Sequence, residues 1–140
     1  MRRYLVVANQ TLLSDPLVAK IGECLAAGPC RFHVVVPATH VAEHLVWTEG
    51  HDRAVASRRL SEALERYRSI GADVDGEVGD ASAIDAIGDA LRNEEPFDQL
   101  ILSSLPPGVS RWLRQDLPHR IERAFHLPVS LVVSTPVAAA

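Results

Sequence analysis

The sequence predicts an α/β fold in which a mainly parallel sheet lies between two layers of helix. Three observations carry this. Short apolar runs of strand length recur along the chain, most of them too continuous for a strand with a wet face. Between them lie stretches with apolar residues at i, i+3, i+4 and i+7, the period of an amphipathic helix. Proline or glycine marks nearly every junction. Strands alternating with helices require right-handed crossovers, and these place the strands parallel.

The elements follow in order. Residues 4–8, Tyr-Leu-Val-Val-Ala, form a first strand. The five or so apolar residues there are fewer than the ~7–15 of a secretory signal core, so the segment reads as a strand and not as an export signal. Ser14-Asp15-Pro16 starts a helix, with proline in its first turn. Leu17, Val18, Ile21 and Leu25 share one face of it, and Gly28-Pro29 stops it. Cys24 lies on the same face and is read as a packing residue, whereas Cys30 is placed at the following turn. Residues 32–36 form the second strand, ended by Pro37. Residues 38–52 have weak periodicity and are assigned to no element. From about His51 a helix is clear, with Leu60, Ala63, Leu64 and Tyr67 in register and Gly71 as its stop. Residues 72–78 alternate polar and apolar. They fit a strand with one wet face, or an edge strand blunted by carboxylates.

After the turn at Gly79-Asp80, Ile84, Ile87 and Leu91 stripe a further helix that ends at Glu94-Glu95-Pro96. Residues 97–102 make the fourth strand. Leu113, Leu117, Ile121 and Phe125 recur every fourth residue, but Pro118 cannot sit inside one continuous helix. The expectation is a short helical turn from Ser110, then a second start with Asp116 as N-cap and Pro118 in the first turn. Residues 129–133 form a fifth strand without charge. Residues 135–140 are a small-residue tail, expected to be loose.

Bulk properties narrow the classes. A length of 140 residues fits one domain, 1–140. With 47% hydrophobic and 23% charged residues the chain is an ordinary globular sequence and not a disordered one. A net charge of −4 lacks the basic excess of a nucleic-acid backbone binder. No run approaches the ~20 apolar residues of a membrane span. Two cysteines make no disulfide framework, and the chain reads as cytoplasmic with reduced thiols.

Open parallel sheets bind ligands beyond the carboxyl ends of their strands, where the strand order reverses. That rule selects Asn9 and Thr11 after the first strand, Pro37 after the second, and residues 103–111 after the fourth. In the last, Ser103 and Ser104 offer hydroxyls, Pro106-Pro107 stiffens the chain and Gly108 frees it. Ser110 can cap a helical turn whose amides hold an anion, with Arg111 and Arg114 adding charge. The competing reading is a plain connection with Ser110 as a cap. Trp112 is read as a packing or dimer residue. A fifth strand lying at an edge would be unprotected and would call for a cover, either a second copy in a homodimer or the C-terminal tail.

Taken together, several strings resemble the universal stress protein family. They are residues 4–8, Gly71-Ala72-Asp73-Val74, Val78-Gly79-Asp80 with Ala86-Ile87, residues 97–102 and Pro128-Val129-Ser130-Leu131-Val132-Val133. The resemblance runs over nearly the whole chain. It implies a Rossmann-like, adenine-nucleotide alpha-hydrolase-like sheet of five parallel strands in the order 3-2-1-4-5, and dimerisation through the last strand. ATP-binding members share a motif of Gly, two residues, Gly, nine residues, then Gly-Ser or Gly-Thr. Counted back from Pro128-Val129, those places hold Leu102, Leu105 and Gln115-Asp116. All three glycines are absent, and an acidic residue common after the first strand is here Asn9, which can still hydrogen-bond a base. This departure argues against ATP in the usual family manner. No cofactor is assigned, and ATP, ADP and AMP stay open only as disfavoured candidates.

An enzymatic reading finds no Gly-x-Ser-x-Gly elbow and no phosphate-loop lysine motif. His40 and His44, with Glu43, His51 and Asp52 nearby, lack the His-Glu-x-x-His order of zinc hydrolases and are read as solvent-facing, so no metal site is assigned. The expected function is non-catalytic binding of a small ligand, a nucleotide-like anion, at the sheet's C-terminal edge. The alternative is a dimeric protein-interaction module with an empty cleft, presenting the basic residues of 111–125.

Overall fold

The computed structural model describes residues 1–39 and 49–134. The elements run β1 (Arg2–Val7), α1 (Asp15–Ala27), β2 (Cys30–Pro37), α2 (Glu49–Ser69), β3 (Val74–Gly79), α3 (Ala83–Asn93), β4 (Gln99–Ser104), α4 (Arg111–Arg114), α5 (Leu117–Phe125) and β5 (Val129–Val133). All four strand pairings are parallel, and the order is β3-β2-β1-β4-β5. This is the expected three-layer α/β sheet of order 3-2-1-4-5.

Successive side chains of a strand point to opposite faces, so an apolar run in a central strand feeds two cores at once. Tyr4 and Val6 of β1 join Phe32, Val34 and Val36 of β2 beneath α1 and α2, with Leu17, Ile21, Leu60, Ala63 and Tyr67. The rings of Tyr4 and Phe32 stack at 5.3 Å. Leu5 and Val7 face the other way and meet Val35, Leu100 and Leu102 beneath Ala86, Ile87 and Ala90 of α3 and Leu117 and Ile121 of α5. The buried Tyr67 hydroxyl donates to the Leu12 carbonyl at 2.5 Å, tying α2 to the loop after β1. Gly71, at φ +99, turns the chain out of α2.

The two sheet edges differ. β3 carries Asp75 and Glu77, the carboxylate-blunted edge strand that was one of its two readings. β5 forms the other edge, with Leu131 and Val133 exposed.

Three expectations are corrected. β4 runs on to Ser104, because Ser103 and Ser104 pair with Val132 and Val133 of β5. Cys30 opens β2 opposite Arg2 and does not sit in the turn. Asp116 stands at the N-cap position of α5 but its side chain caps nothing. Its backbone is left-handed, at φ 55, and Pro118 has no amide to offer it. The carboxylate instead meets His119 Nδ1 at 2.8 Å. His40, Glu43 and His44 lie outside the described residues, as does the tail 135–140. Among the described residues no helix is long and apolar enough to cross a membrane.

Candidate functional site

Strand order reverses between β1 and β4, and a crevice opens beyond their carboxyl ends. Its floor is a pair of buried hydroxyls: Thr11 Oγ1 and Ser103 Oγ are 2.6 Å apart, joining the loop after β1 to the end of β4. Beside them Asn9 is buried and fully engaged. Its amide nitrogen donates to the Pro37 carbonyl at 2.8 Å and to Thr39 Oγ1 at 3.3 Å. Its amide oxygen accepts from Arg59 Nη1 at 2.5 Å. One short side chain thus fastens the ends of β1 and β2 to α2, and the hydrogen-bonding groups that could read a base already have protein partners.

The far wall is the connection from β4 to α4. Gly108, at φ +88, makes a turn that a side chain would strain by about 1–3 kcal/mol. The amides of Val109 and Ser110 both donate to the Pro106 carbonyl, at 3.1 and 2.9 Å. Ser110 Oγ accepts from the Leu113 amide at 3.1 Å and caps α4. The cap forms as expected, but these amides are taken within the turn. Positive charge at this wall is therefore carried by side chains.

The resulting cavity of about 170 Å³ is lined by Asn9, Gln10, Thr11, Thr39, Ser103, Leu105, Val109, Ser110, Arg111, Trp112 and Arg114. Two arginines and no carboxylate face it among the described residues, in a chain of net charge −4. Enclosed ligand pockets usually measure ~300–1,000 Å³, so a nucleotide-sized ligand would lie partly outside this one. Trp112 reaches both the cavity and the core under α5.

Of the eight residues expected at the site, Asn9, Thr11, Ser103, Ser110 and Arg111 line the cavity. Pro37, Ser104 and Gly108 do not. Pro37 supports it through its carbonyl. Ser104 is buried and donates to the Leu105 carbonyl at 2.9 Å. Gly108 shapes the wall without lining it. Arg59 is a site residue outside the eight expected. Its signal was present: a cation one turn from Ala56 and Ala63, on the flank of the otherwise apolar stripe of α2.

Among the described residues, none at the cavity is placed to activate a nucleophile. Ser103 is bonded to Thr11, and no histidine or carboxylate lines the cavity among the described residues. Both cysteines are buried on the layer of α1 and α2, away from the crevice. Burial pushes the Cys30 thiol up, which disfavours the reactive thiolate.

No family model and no curated protein matches the sequence. Solved structures do match the fold. A universal stress protein crystallised in complex with cAMP superposes with a TM-score of 0.58 at 17% identity, covering 96% of this chain and 98% of that one. The fold is that of the universal stress proteins. A universal stress protein from Archaeoglobus fulgidus gives a TM-score of 0.57 at 15% identity, covering 94% and 93%. Within the universal-stress-protein fold, the places of the absent glycines now have surroundings. Leu102 is buried in β4 and Leu105 brings a side chain to the cavity wall. Gln115 closes α4, and Asp116 supplies the left-handed turn into α5.

Proposed function

We propose that residues 1–140 form one universal-stress-protein-like domain of the cytoplasm, a non-catalytic binder of a small, nucleotide-like anion in stress responses. The observation that carries this reading is the sign of the crevice: Arg111 and Arg114 line it, Arg59 reaches its floor, and no carboxylate faces it among the described residues. In an otherwise acidic chain, such a concave basic spot favours an anion. The crevice also lies at the topological switch point, the usual ligand place in open α/β sheets. A structural neighbour holds cAMP, whose phosphate and adenine suit arginines beside Trp112. Two leucines and a glutamine at the three motif glycine positions, with Asp116 at the hydroxyl position that follows, argue against ATP in the manner of its binders.

The test has two parts. Denaturing the purified protein should release a small molecule visible by mass spectrometry, and calorimetric titration with cAMP, AMP, ADP and ATP should give heat with at least one. Arg111→Ala should weaken binding about 10–100-fold, the loss of one charge-assisted hydrogen bond of ~1.5–3 kcal/mol. Ser110→Ala should weaken it less. No released molecule and no heat would sink the reading.

A second reading has its own observation. Exposed Leu131 and Val133 on an uncharged edge strand are a natural seam for a second copy. On this reading the protein is a homodimer through Val129–Val133 that works by protein contacts, with or without a ligand.

A further inference from the structure

At the opposite end of the sheet a histidine is buried among carboxylates. His33 of β2 has 4% of its surface exposed. It stands beside Asp75 in the β2–β3 register, and Glu77 follows two residues on, on the same face. Glu94, which ends α3, reaches the ring from above. His33 Nε2 lies 3.3 Å from Glu77 Oε2. His33 Nδ1 lies 2.8 Å from Asp75 Oδ1 and 3.2 Å from Glu94 Oε1.

The donor inventory leaves more acceptor oxygens around the ring than the ring has N–H groups. Ionised carboxylates only accept hydrogen bonds. When Nε2–H donates to Glu77, the Nδ1 lone pair points at two further acceptor oxygens. A single proton on Nδ1 lies on one line, toward one of them. A metal ion meets all three at once, and the three ligand atoms already lie within 4.8 Å of one another. Glu77 then has the role of the outer carboxylate that orients a metal-bound histidine through its other ring nitrogen.

The surroundings agree. The group opens into a cavity of about 170 Å³ lined by Arg3, Arg31, Asp73, Asp75, Glu94 and Glu95 among others, which leaves room for water ligands. Arg31 is paired with Asp73 at 3.0 Å, and Arg3 lies over the Phe97 ring, 4.7 Å from its centroid. Arg3 also pairs with Glu95, at 3.8 Å.

We propose that His33, Asp75 and Glu94 bind one divalent ion of the zinc class, oriented by Glu77 and tying β2, β3 and the end of α3 together. This departs from the expectation of no metal site and is independent of the anion-binding reading. One imidazole nitrogen with two carboxylates suits a borderline ion. Calcium and magnesium prefer all-oxygen shells and are expected not to compete.

The test uses untagged full-length protein stripped with a chelator. Calorimetry should show one equivalent of Zn²⁺, unaffected by excess Mg²⁺. Co²⁺ should give a visible band typical of nitrogen and oxygen ligands without sulfur charge transfer. Glu77→Gln should weaken Zn²⁺ about 10–100-fold, as outer-shell losses do. The double variant Asp75→Asn with Glu94→Gln should abolish stoichiometric binding. All three side chains are partly exposed, so the variants should fold, as circular dichroism will check. Absence of Zn²⁺ binding overturns the proposal, as does a Co²⁺–thiolate band or full binding by the double variant.

Discussion

Gly76 shows how one residue sets the distance between a helix and the sheet. A Cβ there would stand 2.7 Å from the Val34 carbonyl oxygen and 2.8 Å from Leu60 Cδ1. The carbonyl belongs to a central strand and cannot give way, so α2 and β3 lie this close only over a glycine. Gly76→Ala should cost about 1–3 kcal/mol, the usual range for overpacking. Gly22 is the contrast. It sits inside α1, and a Cβ there would meet nothing within 4 Å. Gly22→Ala should stabilise by about 0.5–1 kcal/mol through helix propensity. Urea midpoints that move in opposite directions would bear this out; a neutral Gly76→Ala would refute it. The sequence announces both residues as glycines in predicted elements. Only their neighbours decide which one is needed.

At the scale of elements, β5 offers the sharpest prediction. Val129 packs beneath α5 and Val132 beneath α1, whereas Leu131 and Val133 lie open. β3, the opposite edge, carries Asp75 and Glu77 as charges against edge pairing. The wild type should therefore scatter light as a dimer at micromolar concentration, and Leu131→Lys as a monomer. A monomeric wild type would remove the second reading of the function. Legibility also varied by element. The strands were plain from their runs, because a strand buried on both faces needs apolar residues at every position. The end of β4 was not, because Ser103 and Ser104 look like loop residues until β5 is placed beside them. Asp116 looked like a cap, yet with proline in the first turn the left-handed backbone sent its carboxylate to His119.

Across the whole molecule, stability should depend on alkaline pH. Burial holds the Tyr67 phenol protonated beyond the range in which a tyrosine of the unfolded chain, near 10.0, ionises. The Cys30 thiol is raised for the same reason. Above those unfolded values the native state binds more protons than the unfolded state, so stability falls as pH rises. The contribution is fully present below the unfolded values and is lost on the way up. Urea unfolding should show a midpoint that drops progressively above about pH 9–10. Tyr67→Phe should begin about 1–2 kcal/mol lower, because the Leu12 carbonyl loses its donor. It should then lose less over the same interval. Parallel pH curves for the two proteins would contradict the assignment to Tyr67.

The sequence by itself determined the α/β class, the alternation of elements, and the place of the crevice beyond the fourth strand. Those properties follow from local periodicity and from the handedness of crossovers, which residues near in sequence can settle. Tertiary structure alone decided what the crevice contains and what else the fold brings together. Arg59 meets Asn9 across 50 residues, and Thr11 meets Ser103 across 92. His33, Asp75 and Glu94 converge from a strand, a neighbouring strand and a helix end. No local pattern announces such meetings, because the sheet order that creates them is a property of the whole chain.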